Sequence, residues 1–418
     1  MTPADQVLSL CARIAALTDI PGTITRTFLS PATRAVHSLL TAEMQSLGMT
    51  VRTDSAGNLR GIYPAQDDLS SRGNNLSSRS EAEGSAFAVP TLLLGSHIDT
   101  VPDSGPYDGV LGVAIPIVLI RMLAGKKLPC NIEIIAFSEE EGVRFKFPFI
   151  GSRALVGTLT RADLTRTDYL GISIAQALED FGLNPLSPSA PLVTSRTFAY
   201  LEVHIEQGPV LESLALPLGV VTSIIGQSRL SLTFHGEANH AGTTPMSFRK
   251  DALAAAARFI AEVQSYPQDD PHLLATVGSI TAFPNAANVI PGAVTVSLDV
   301  RHPSDAARLE AVEALKTLAQ SHGLPVTITD RGGQSSVPMD PALSALLTTA
   351  AAPYAPHCMA SGAGHDAMIV APYIPTAMLF LRTPRGLSPH PQESVSAEDI
   401  QTALATCLRF LNTLHPTP

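Results

Sequence analysis

The chain has 418 residues, of which 45% are hydrophobic and 15% are charged, and its formal net charge at pH 7 is −10. This length accommodates two or three domains with large cores, and the composition differs from that of a disordered chain. The negative charge argues against nucleic acid or an anionic membrane as the main binding partner. Four scattered cysteines without a CxxC pair indicate reduced thiols rather than a disulfide framework.

The sequence predicts neither a targeting signal nor a membrane span. Residues 1–16 lack an apolar signal core. The most apolar run, residues 110–119, contains Pro116 and is too short to cross a bilayer. We therefore expect a cytoplasmic protein that binds neither nucleic acid nor membrane.

The first predicted elements are two amphipathic helices at residues 3–18 and 32–48, where apolar residues recur at helical spacing. Two short strands are expected on either side of a turn at residues 54–58. Residues 65–88 are rich in Ser, Arg, Asn and Glu and contain few apolar residues, which predicts a mobile surface loop.

Two apolar runs of strand length, residues 90–95 and 131–137, flank a predicted helix that begins at Val110. A strand–helix–strand order with continuously apolar strands is typical of a buried parallel sheet. After a linker rich in Pro, Ser and Leu at residues 183–195, a further strand is predicted at residues 198–205. These elements predict the α/β fold class, with a mostly parallel sheet in the first domain.

The pattern changes after about residue 213, where short strands begin to alternate with two long helical segments. The strands are predicted at residues 219–225, 229–235, 275–282, 293–300 and 325–329, and the helices at 249–265 and 304–321. This order predicts an inserted α+β domain at residues 213–330, with two helices on a four-stranded, largely antiparallel sheet. The first domain would then comprise residues 1–212 and 331–418, ending with helices at 340–352 and 396–413 and a strand at 374–381.

Polar residues suited to metal binding follow the two apolar strands of the first domain. His97 and Asp99 end the first strand, Asp108 lies in the loop after it, and Glu139–Glu141 end the second strand. An imidazole and several carboxylates at neighbouring strand ends are suitable ligands for a pair of divalent metals. Without a metal, three consecutive glutamates beside a buried strand would cost stability through repulsion and desolvation. An isolated His97 would be an ordinary polar residue, but the combined pattern predicts a two-metal hydrolase in which Asp99 fixes the tautomer of His97.

Eight segments between residue 95 and about residue 393 carry a family resemblance: GSHIDT, YDGVLGV, SEEEGVRF, LEVHIEQGPVLE, GEANHAGTTPM, NVIPG, DVRHP and SGAGHDA. Together they resemble the N-carbamoyl-amino-acid amidohydrolases, a group that includes allantoate amidohydrolases, ureidoglycolate amidohydrolases and β-ureidopropionases. This group belongs to the aminoacylase/carboxypeptidase class of metallohydrolases. The segments HIEQGP and ANHAGTTPM separate it from its peptidase relatives, so the resemblance is specific.

The resemblance implies a dinuclear site with two divalent ions per chain, zinc or manganese being favoured and nickel or cobalt also suiting such ligands. His97 and Glu141 would bind different ions, Asp108 would bridge the two, and His204 would complete the shell of one ion. Glu140 would be the general base that takes a proton from the metal-bridging water and later gives it to the leaving nitrogen. For the neighbouring Glu139, a solvated or supporting role is favoured over catalysis.

On the substrate side, the resemblance implies that Gln207, His240, Asn288 and Arg301 hold the substrate and stabilise its oxyanion. The planar fork of Arg301 suits a carboxylate. His240 would act across subunits in a homodimer, and Gly364 belongs to a glycine-rich loop whose backbone would approach the substrate. Taken alone, Arg301 would be interpreted as part of a surface ion pair and His240 as part of a capped loop. Together with the other family segments, we favour the substrate-binding roles.

One segment departs from the family pattern. The family has its last metal ligand in Gly-x-Ser-His-x-Pro-x-Glu, whereas residues 386–393 of this chain are Gly-Leu-Ser-Pro-His-Pro-Gln-Glu. Pro389 therefore occupies the ligand position and His390 follows it. Either the loop shifts by one residue and His390 binds the metal, which we favour, or the second metal is weakly held or absent.

We therefore expect a metal-dependent amidohydrolase that cleaves a linear C–N amide bond through a metal-bridging hydroxide. The substrate would be a small, carboxylate-bearing N-carbamoyl amino acid or an allantoate-like molecule, and the inserted domain would act as a lid and dimerisation domain. Two alternatives stay open. One is an aminoacylase- or dipeptidase-type hydrolase of N-acyl amino acids or of a specialised amide, and the other is a non-catalytic binding protein with a degraded second metal site.

Overall fold

The computed structural model describes residues 1–66, 89–185, 191–266 and 270–414. Most of the loop expected at residues 65–88 lies outside these ranges. The chain divides into two compact units, the first made of Met1–Thr222 with Met339–Pro418 and the second of Ser223–Pro338. The chain thus leaves the first unit once and later returns to it.

Within the described ranges the strands are β1 (Thr50–Thr53), β2 (Leu59–Tyr63), β3 (Thr91–His97), β4 (Asn131–Phe137), β5 (Thr197–Ile205), β6 (Leu218–Ile224), β7 (Gly226–His235), β8 (Asn239–His240), β9 (Leu274–Thr276), β10 (Ile280–Phe283), β11 (Val289–Ile290), β12 (Ala293–His302), β13 (Val326–Gln334), β14 (Val337–Pro338), β15 (His357–Ser361) and β16 (Thr376–Leu381). The α-helices in the same ranges are α1 (Pro3–Ala15), α2 (Pro31–Ser46), α3 (Val110–Met122), α4 (Ile150–Val156), α5 (Ile174–Asp180), α6 (Val210–Ser213), α7 (Ala252–Ser265), α8 (Asp305–Gln320), α9 (Pro341–Ala351), α10 (Asp366–Val370) and α11 (Ala397–Thr413).

The sheet of the first unit is parallel at its centre and antiparallel towards its edges. Its strand order is β1-β2-β4-β3-β5-β16-β6, with β15 also paired to β6. Strands β4, β3, β5 and β16 run parallel to one another, whereas β2 and β6 pair with this central set in antiparallel fashion. The prediction of a mixed α/β fold with a mostly parallel central sheet is confirmed.

Alternate residues of the central strands pack into the main apolar core. In β4, the residues that join this core are Ile132, Ile134 and Ala136, as the two-residue period of a strand requires. Helices α1, α2, α3, α9 and α11 bury apolar side chains in the same core. In the described parts of the chain, no helix combines the length and the apolar character that crossing a lipid bilayer requires.

The four central strands end at one edge of this sheet, because parallel strands point in the same direction. His97 at the end of β3 lies opposite Phe137 at the end of β4, and Ile205 at the end of β5 lies opposite Leu381 at the end of β16. The loops that follow these strands therefore meet at this carboxyl edge, which is where ligands bind in open α/β sheets.

The second unit is an antiparallel sheet with two helices. Its strand order is β10-β12-β7-β13, with β9 also paired to β12. Buried and half-buried residues alternate along β12, so that Val294, Val296, Leu298 and Val300 share a separate core with α7 and α8. A short antiparallel ladder joins β8 to β11.

Three details differ from the sequence-based expectations. Among the described residues, the second unit's sheet has five strands rather than four, because the run near residues 275–282 forms β9 and β10, which both pair with β12. Strand β6 pairs with β16 in the first unit's sheet, so the unit boundaries fall after residues 222 and 338 rather than at 213 and 330. The short helices α4, α5 and α10 were not expected, since five to seven residues are too few to give a clear helical period.

A buried ion pair on the antiparallel side of this sheet gives a stability prediction. Nε and Nη2 of Arg60 donate to the two carboxylate oxygens of Glu133 at 2.7 and 2.9 Å, and both residues are buried. Replacing Glu133 with Gln should destabilise the protein by about 3 kcal/mol in urea unfolding, because it leaves a buried guanidinium without its main counter-charge. The exposed pair of Glu313 and Lys316 offers a control, since Glu313→Gln should cost less than about 1 kcal/mol. Equal losses for the two variants would contradict this account.

Candidate metal centre

Two groups of potential ligand atoms lie at the carboxyl edge of the first unit's sheet. One group contains His97, Asp108 and His204, the other contains His97, Glu140 and Glu141, and within each group the ligand atoms lie within 4.8 Å of one another. All of these residues are buried except Glu141, which is half-buried. Strands β3 and β5 supply the imidazoles, and the loops after β3 and β4 supply the carboxylates.

Both imidazoles of the first group are oriented by backbone carbonyls. Nδ1 of His97 lies 3.1 Å from the carbonyl oxygen of Asp99, and Nδ1 of His204 lies 3.0 Å from that of Ile205. The Nε2 atoms of His204 and His97 then face Oδ1 of Asp108, at 3.3 and 3.8 Å. A proton on each Nδ1 would leave both Nε2 lone pairs directed at one point, as two ligands of a single metal require.

Charges on Asp108 and the two imidazoles stabilise one another. Burial disfavours the ionised form of Asp108, but its hydrogen bond to His204 and the nearby imidazoles outweigh burial, so its pKa is lowered. Burial also opposes protonation of His97, yet Asp99, Glu140 and Asp108 raise the pKa of His97 well above its ordinary value. The site therefore favours positive charge at its centre.

Gly109 allows the loop with Asp108 to approach His97. Its φ of +66° lies in the left-handed region, and a β-carbon at this position would lie 2.5 Å from atoms of the His97 ring. The backbone N–H of Gly109 lies 3.2 Å from Nε2 of His204. A larger residue would be strained here and would push Asp108 away from the imidazoles.

Asp99 connects the ends of β3 and β4. Its Oδ1 accepts the backbone N–H of Glu140 at 2.9 Å, and its Oδ2 accepts that of Glu141 at 3.1 Å. Oδ1 also lies 3.4 Å from Nδ1 of His97. One buried carboxylate thereby fixes the positions of the two glutamates relative to the first imidazole.

The three consecutive glutamates are in surroundings that disfavour negative charge. Burial raises the pKa of Glu140 well above its ordinary value, and Glu141 and Asp366 add to this effect although His97 opposes it. Burial raises the pKa of Glu141 to about 7, again against the effect of His97. Glu139 is completely buried, so of the two roles expected for it the solvated one is wrong.

Asp108 has a different set of partners on its second oxygen. Nε2 of Gln207 donates to Oδ2 of Asp108 at 3.1 Å, and the hydroxyl of Ser388 lies 3.5 Å from the same oxygen. The same Gln207 nitrogen lies 3.1 Å from Oγ of Ser388. The Gln207 backbone has a φ of +58°, which turns its side chain towards this site from the end of β5. Gln207 is thus in contact with the candidate metal ligand Asp108, and its role in substrate binding stays a prediction.

Glu393 holds the loop with Asp108, a role that the sequence did not reveal. Its Oε2 accepts the backbone N–H groups of Tyr107 and Asp108 at 2.7 and 3.0 Å. Burial, followed by repulsion from Asp108, raises the pKa of Glu393 to about 7. The sequence feature that could have pointed to this role is the position of Glu393 at the end of the family segment at residues 386–393.

Neither Pro389 nor His390 belongs to the two ligand groups found among the described residues. Both are exposed, and Nδ1 of His390 accepts the backbone N–H of Gln392 at 3.0 Å. The role of His390 as a metal ligand stays a prediction from the sequence.

The glycine-rich segment SGAGHDA contributes residues beneath the imidazoles. The ring of His365 packs on that of His204 with a centroid distance of 4.4 Å, and its Nε2 lies 2.9 Å from Oγ of Ser361. A β-carbon on Gly364 would lie 3.9 Å from Oε1 of Glu140, so this glycine is close to Glu140, and its approach to the substrate stays a prediction. The sequence did not reveal the packing role of His365, although the segment itself was recognised.

In the second unit, the ladder of β8 and β11 brings His240 and Asn288 together. His240 pairs with Val289, and the backbone N–H of Ala241 donates to the carbonyl oxygen of Asn288 at 2.9 Å. Nδ1 of the exposed His240 accepts the N–H of Gly242 at 3.1 Å. This hydrogen bond caps the loop, which is the interpretation of His240 taken alone. The side chain thus has a defined position on a surface of this unit.

Arg301 lies in another part of the second unit. It lines a cavity of about 540 Å³ together with Arg229 and Arg331. Its Nε and Nη2 lie 3.0 and 3.3 Å from the two oxygens of Asp299. Arg301 therefore takes part in an ion pair, which is the interpretation of this residue taken alone. Three guanidinium groups and one carboxylate give this cavity a net positive charge, which suits an anionic group.

The donor set at the carboxyl edge fits a divalent cation. Oε1 of Glu141 and Oε1 of Glu393 are buried, and neither has a hydrogen-bond partner among the described residues. Imidazole nitrogens and carboxylate oxygens are the usual ligands of zinc, manganese, nickel and cobalt. A cation here would compensate the buried carboxylates, whose desolvation otherwise costs several kcal/mol per ion on the order-of-magnitude scale for buried charges.

Comparisons with known proteins show which family this chain is similar to. The sequence profile of Peptidase family M20/M25/M40 matches residues 93–413. Allantoate deiminase 2 of Glycine max is 35% identical over an alignment that covers 98% of this chain and 89% of that protein. N-carbamoyl-L-amino acid amidohydrolase of Geobacillus stearothermophilus is also 35% identical, with 90% of each chain covered.

Solved structures give the same result. The crystal structure of an amidase of the hydantoinase/carbamoylase family from Burkholderia multivorans has a TM-score of 0.85 to this chain at 31% identity. The superposition covers 98% of this chain and 97% of that one. The chain therefore belongs to Peptidase family M20/M25/M40, within which it resembles the hydantoinase/carbamoylase amidases, as its sequence segments predict.

Proposed function

We propose that this protein is a metal-dependent amidohydrolase that cleaves a linear C–N bond in a small, carboxylate-bearing ureido substrate. Allantoate and N-carbamoyl amino acids are the substrates that the similarity to Allantoate deiminase 2 and N-carbamoyl-L-amino acid amidohydrolase supports. The observation that carries the proposal is the buried group of His97, Asp108 and His204, with Glu140 beside it.

The cofactors in this proposal are two divalent ions per chain, with zinc or manganese favoured and nickel or cobalt also suited to the donors. His97, Asp108 and His204 would hold one ion, and Glu141 would bind the other, with His390 as the predicted further ligand. When bound, the ions would lower the pKa of a coordinated water and polarise the carbonyl group of the substrate.

Glu140 would transfer the proton. Its backbone is fixed by Asp99, and its carboxyl group is almost completely buried. A carboxylate in this position can accept a proton from the attacking water and donate it to the leaving nitrogen. A nearby cation would oppose the rise in the pKa of Glu140 that burial causes, because it favours the ionised carboxylate.

The substrate-binding residues that we propose are those that the family resemblance implies. In the first unit, Gln207 and Gly364 would contact the substrate beside Glu140. In the second unit, the planar fork of Arg301 would bind the substrate carboxylate, and His240 with Asn288 would stabilise the oxyanion.

We also propose a homodimer in which His240 acts in the partner's active site. Asn288 and the β8–β11 ladder precede β12, whereas Arg301 lies near the other end of β12. The extended strand from Ala293 to Arg301 spans about 27 Å. One small substrate cannot bridge that distance, so His240 and Arg301 of the same chain would serve different active sites.

Exposed apolar side chains in the second unit support a dimer. Strand β10 forms the end of the strand order, and its Ile280 and Phe283 are 49% and 70% exposed. Unpaired edge strands with apolar side chains favour pairing with another chain.

We further propose a cytoplasmic location, which is supported by the absence of a disulfide among the four cysteines.

Replacing Glu140 with Gln should lower the turnover of a ureido acid by about 10²- to 10⁴-fold, because an amide of the same shape cannot accept the proton. The assay should measure product release from allantoate, N-carbamoyl amino acids and N-acetyl amino acids. Glu139→Gln is a matched control with an expected loss below about tenfold, since burial already raises the pKa of Glu139 and favours its neutral form. Activity confined to N-acetyl amino acids would favour the aminoacylase alternative, and full activity of Glu140→Gln would contradict the role of this residue.

Mixing inactive variants tests whether the active site is shared between subunits. His240→Ala and Glu140→Gln chains, refolded or exchanged together, should recover about a quarter of wild-type activity, because half of the dimers then contain one complete site. The same mixture with Arg301→Ala in place of His240→Ala should recover almost none. Recovery of activity in both mixtures, or in neither, would disprove the proposal that His240 and Arg301 of one chain serve different active sites.

Ile280→Lys should convert the dimer into monomers, because a buried lysine at the paired edge would be desolvated without a partner. Light scattering after gel filtration should give about twice the 43.9 kDa chain mass for the wild type and about one chain mass for the variant. Leu309→Lys, at a position on α8 that is 52% exposed, is the control and should leave the mass unchanged. A wild-type protein that is monomeric at micromolar concentration would rule out the dimer.

A further inference from the structure

The two carboxylate oxygens of Asp108 are in unlike surroundings. Oδ1 faces Nε2 of His204 at 3.3 Å and Nε2 of His97 at 3.8 Å. Oδ2 instead accepts a hydrogen bond from Gln207 at 3.1 Å, and the Ser388 hydroxyl is 3.5 Å away. An ion between the imidazoles can therefore use Oδ1 directly, whereas an ion on the other side would have to displace neutral hydrogen-bond donors from Oδ2.

His97 can serve only one ion. Its Nδ1 is directed at the carbonyl oxygen of Asp99, so Nε2 is its single nitrogen available to a metal. Nε2 of His97 faces Asp108, as Nε2 of His204 does. The second group consists of His97, Glu140 and Glu141. If His97 binds the first ion, this group therefore offers no other imidazole to an ion beside Glu141.

The segment that contacts Oδ2 of Asp108 does not supply the missing imidazole. Ser388 makes the contact, Pro389 has no ligand atom, and His390 is exposed with its Nδ1 accepting the N–H of Gln392. Besides that of His97, the ligand atoms of the second group found among the described residues are carboxylate oxygens of Glu140 and Glu141. Oxygen ligands alone suit manganese or magnesium, whereas a site with two imidazoles suits zinc, nickel or cobalt.

We infer that the two metal positions are unequal: His97, Asp108 and His204 bind one ion tightly, and a second ion, bound through Glu141 by oxygen ligands alone, exchanges freely. This inference rests on the proposed function, because it assumes that the carboxyl edge is a metal centre. It departs from the prediction made from the sequence, because oxygen ligands take the place of His390 at the second position. It adds that zinc fills the first position, and that manganese or magnesium is preferred at the second. The exchangeable ion would also make the occupancy of the second position depend on the free metal concentration.

Metal binding to the full-length chain tests this inference without an activity assay. Protein stripped with a chelator and dialysed would be titrated with zinc against a chromophoric chelator, and metal retained after gel filtration would be measured by elemental mass spectrometry. We expect one retained zinc per chain and a second affinity at least about 100-fold weaker, since even the loss of an outer partner of a metal ligand costs about 10- to 100-fold in affinity. Electron paramagnetic resonance of added Mn²⁺ should detect one weak site in protein that already holds one zinc.

Three variants separate the ligands. His204→Ala should abolish the tight zinc site, whereas His390→Ala should leave both affinities unchanged. Pro389→His, which adds an imidazole beside Ser388, should strengthen the second site by at least about tenfold. With cobalt as the probe, visible absorption from a nitrogen-ligated ion should disappear in His204→Ala and persist in His390→Ala.

Each contrary outcome has a distinct meaning. Two zinc ions of equal affinity that survive gel filtration, or loss of the second ion in His390→Ala, would overturn the inference and leave the proposed function intact. An unchanged second site in Pro389→His would also count against it, because the missing imidazole would then not be the cause. Absence of any tight ion in the wild-type protein would contradict the metal centre itself and with it the proposed function.

Discussion

The carboxylate of Asp99 is the interaction on which the arrangement of the candidate site depends. It accepts the backbone N–H groups of Glu140 and Glu141 and lies beside Nδ1 of His97. Because these groups belong to the ends of two neighbouring strands, one side chain sets the positions of an imidazole and two glutamates together. Backbone N–H groups satisfy both oxygens of this buried side chain, which offsets the cost of removing it from water.

Buried negative charge is the second constraint, and it explains why the site needs a cation. Burial raises the pKa values of Glu140, Glu141 and Glu393, while Asp108 is kept ionised by the imidazoles beside it. The imidazoles compensate the charge at one oxygen of Asp108, whereas the other oxygen accepts a hydrogen bond from the uncharged amide of Gln207. The same asymmetry that stabilises the loop with Asp108 therefore distinguishes the two metal positions that we infer.

The second unit separates functional groups by the length of one strand. Its sheet carries Arg301 near one end of β12, in a cavity with net positive charge, and the β8–β11 ladder with His240 precedes the other end. A sheet is stiff along its strands, so local movement does not bring these groups onto one small molecule. In the homodimer that we propose, a shared active site would use both groups, and the exposed edge strand β10 would provide the surface for pairing.

Residue types and their order along the chain were sufficient to predict the parallel sheet, the insertion and the polar residues at the strand ends. Strand β4 was predicted at its observed bounds because most of its residues are apolar, as is typical of a strand buried on both faces. His97 and Asp108 were identified because they occur at or just after such strands, whereas the role of His204 was implied by the family resemblance. Only the tertiary structure decided that β6 belongs to the first sheet, that Glu393 holds the loop with Asp108, and which oxygen of Asp108 faces the imidazoles. These features depend on contacts between residues that are up to 286 positions apart, and neither hydrophobic period nor local spacing encodes such contacts.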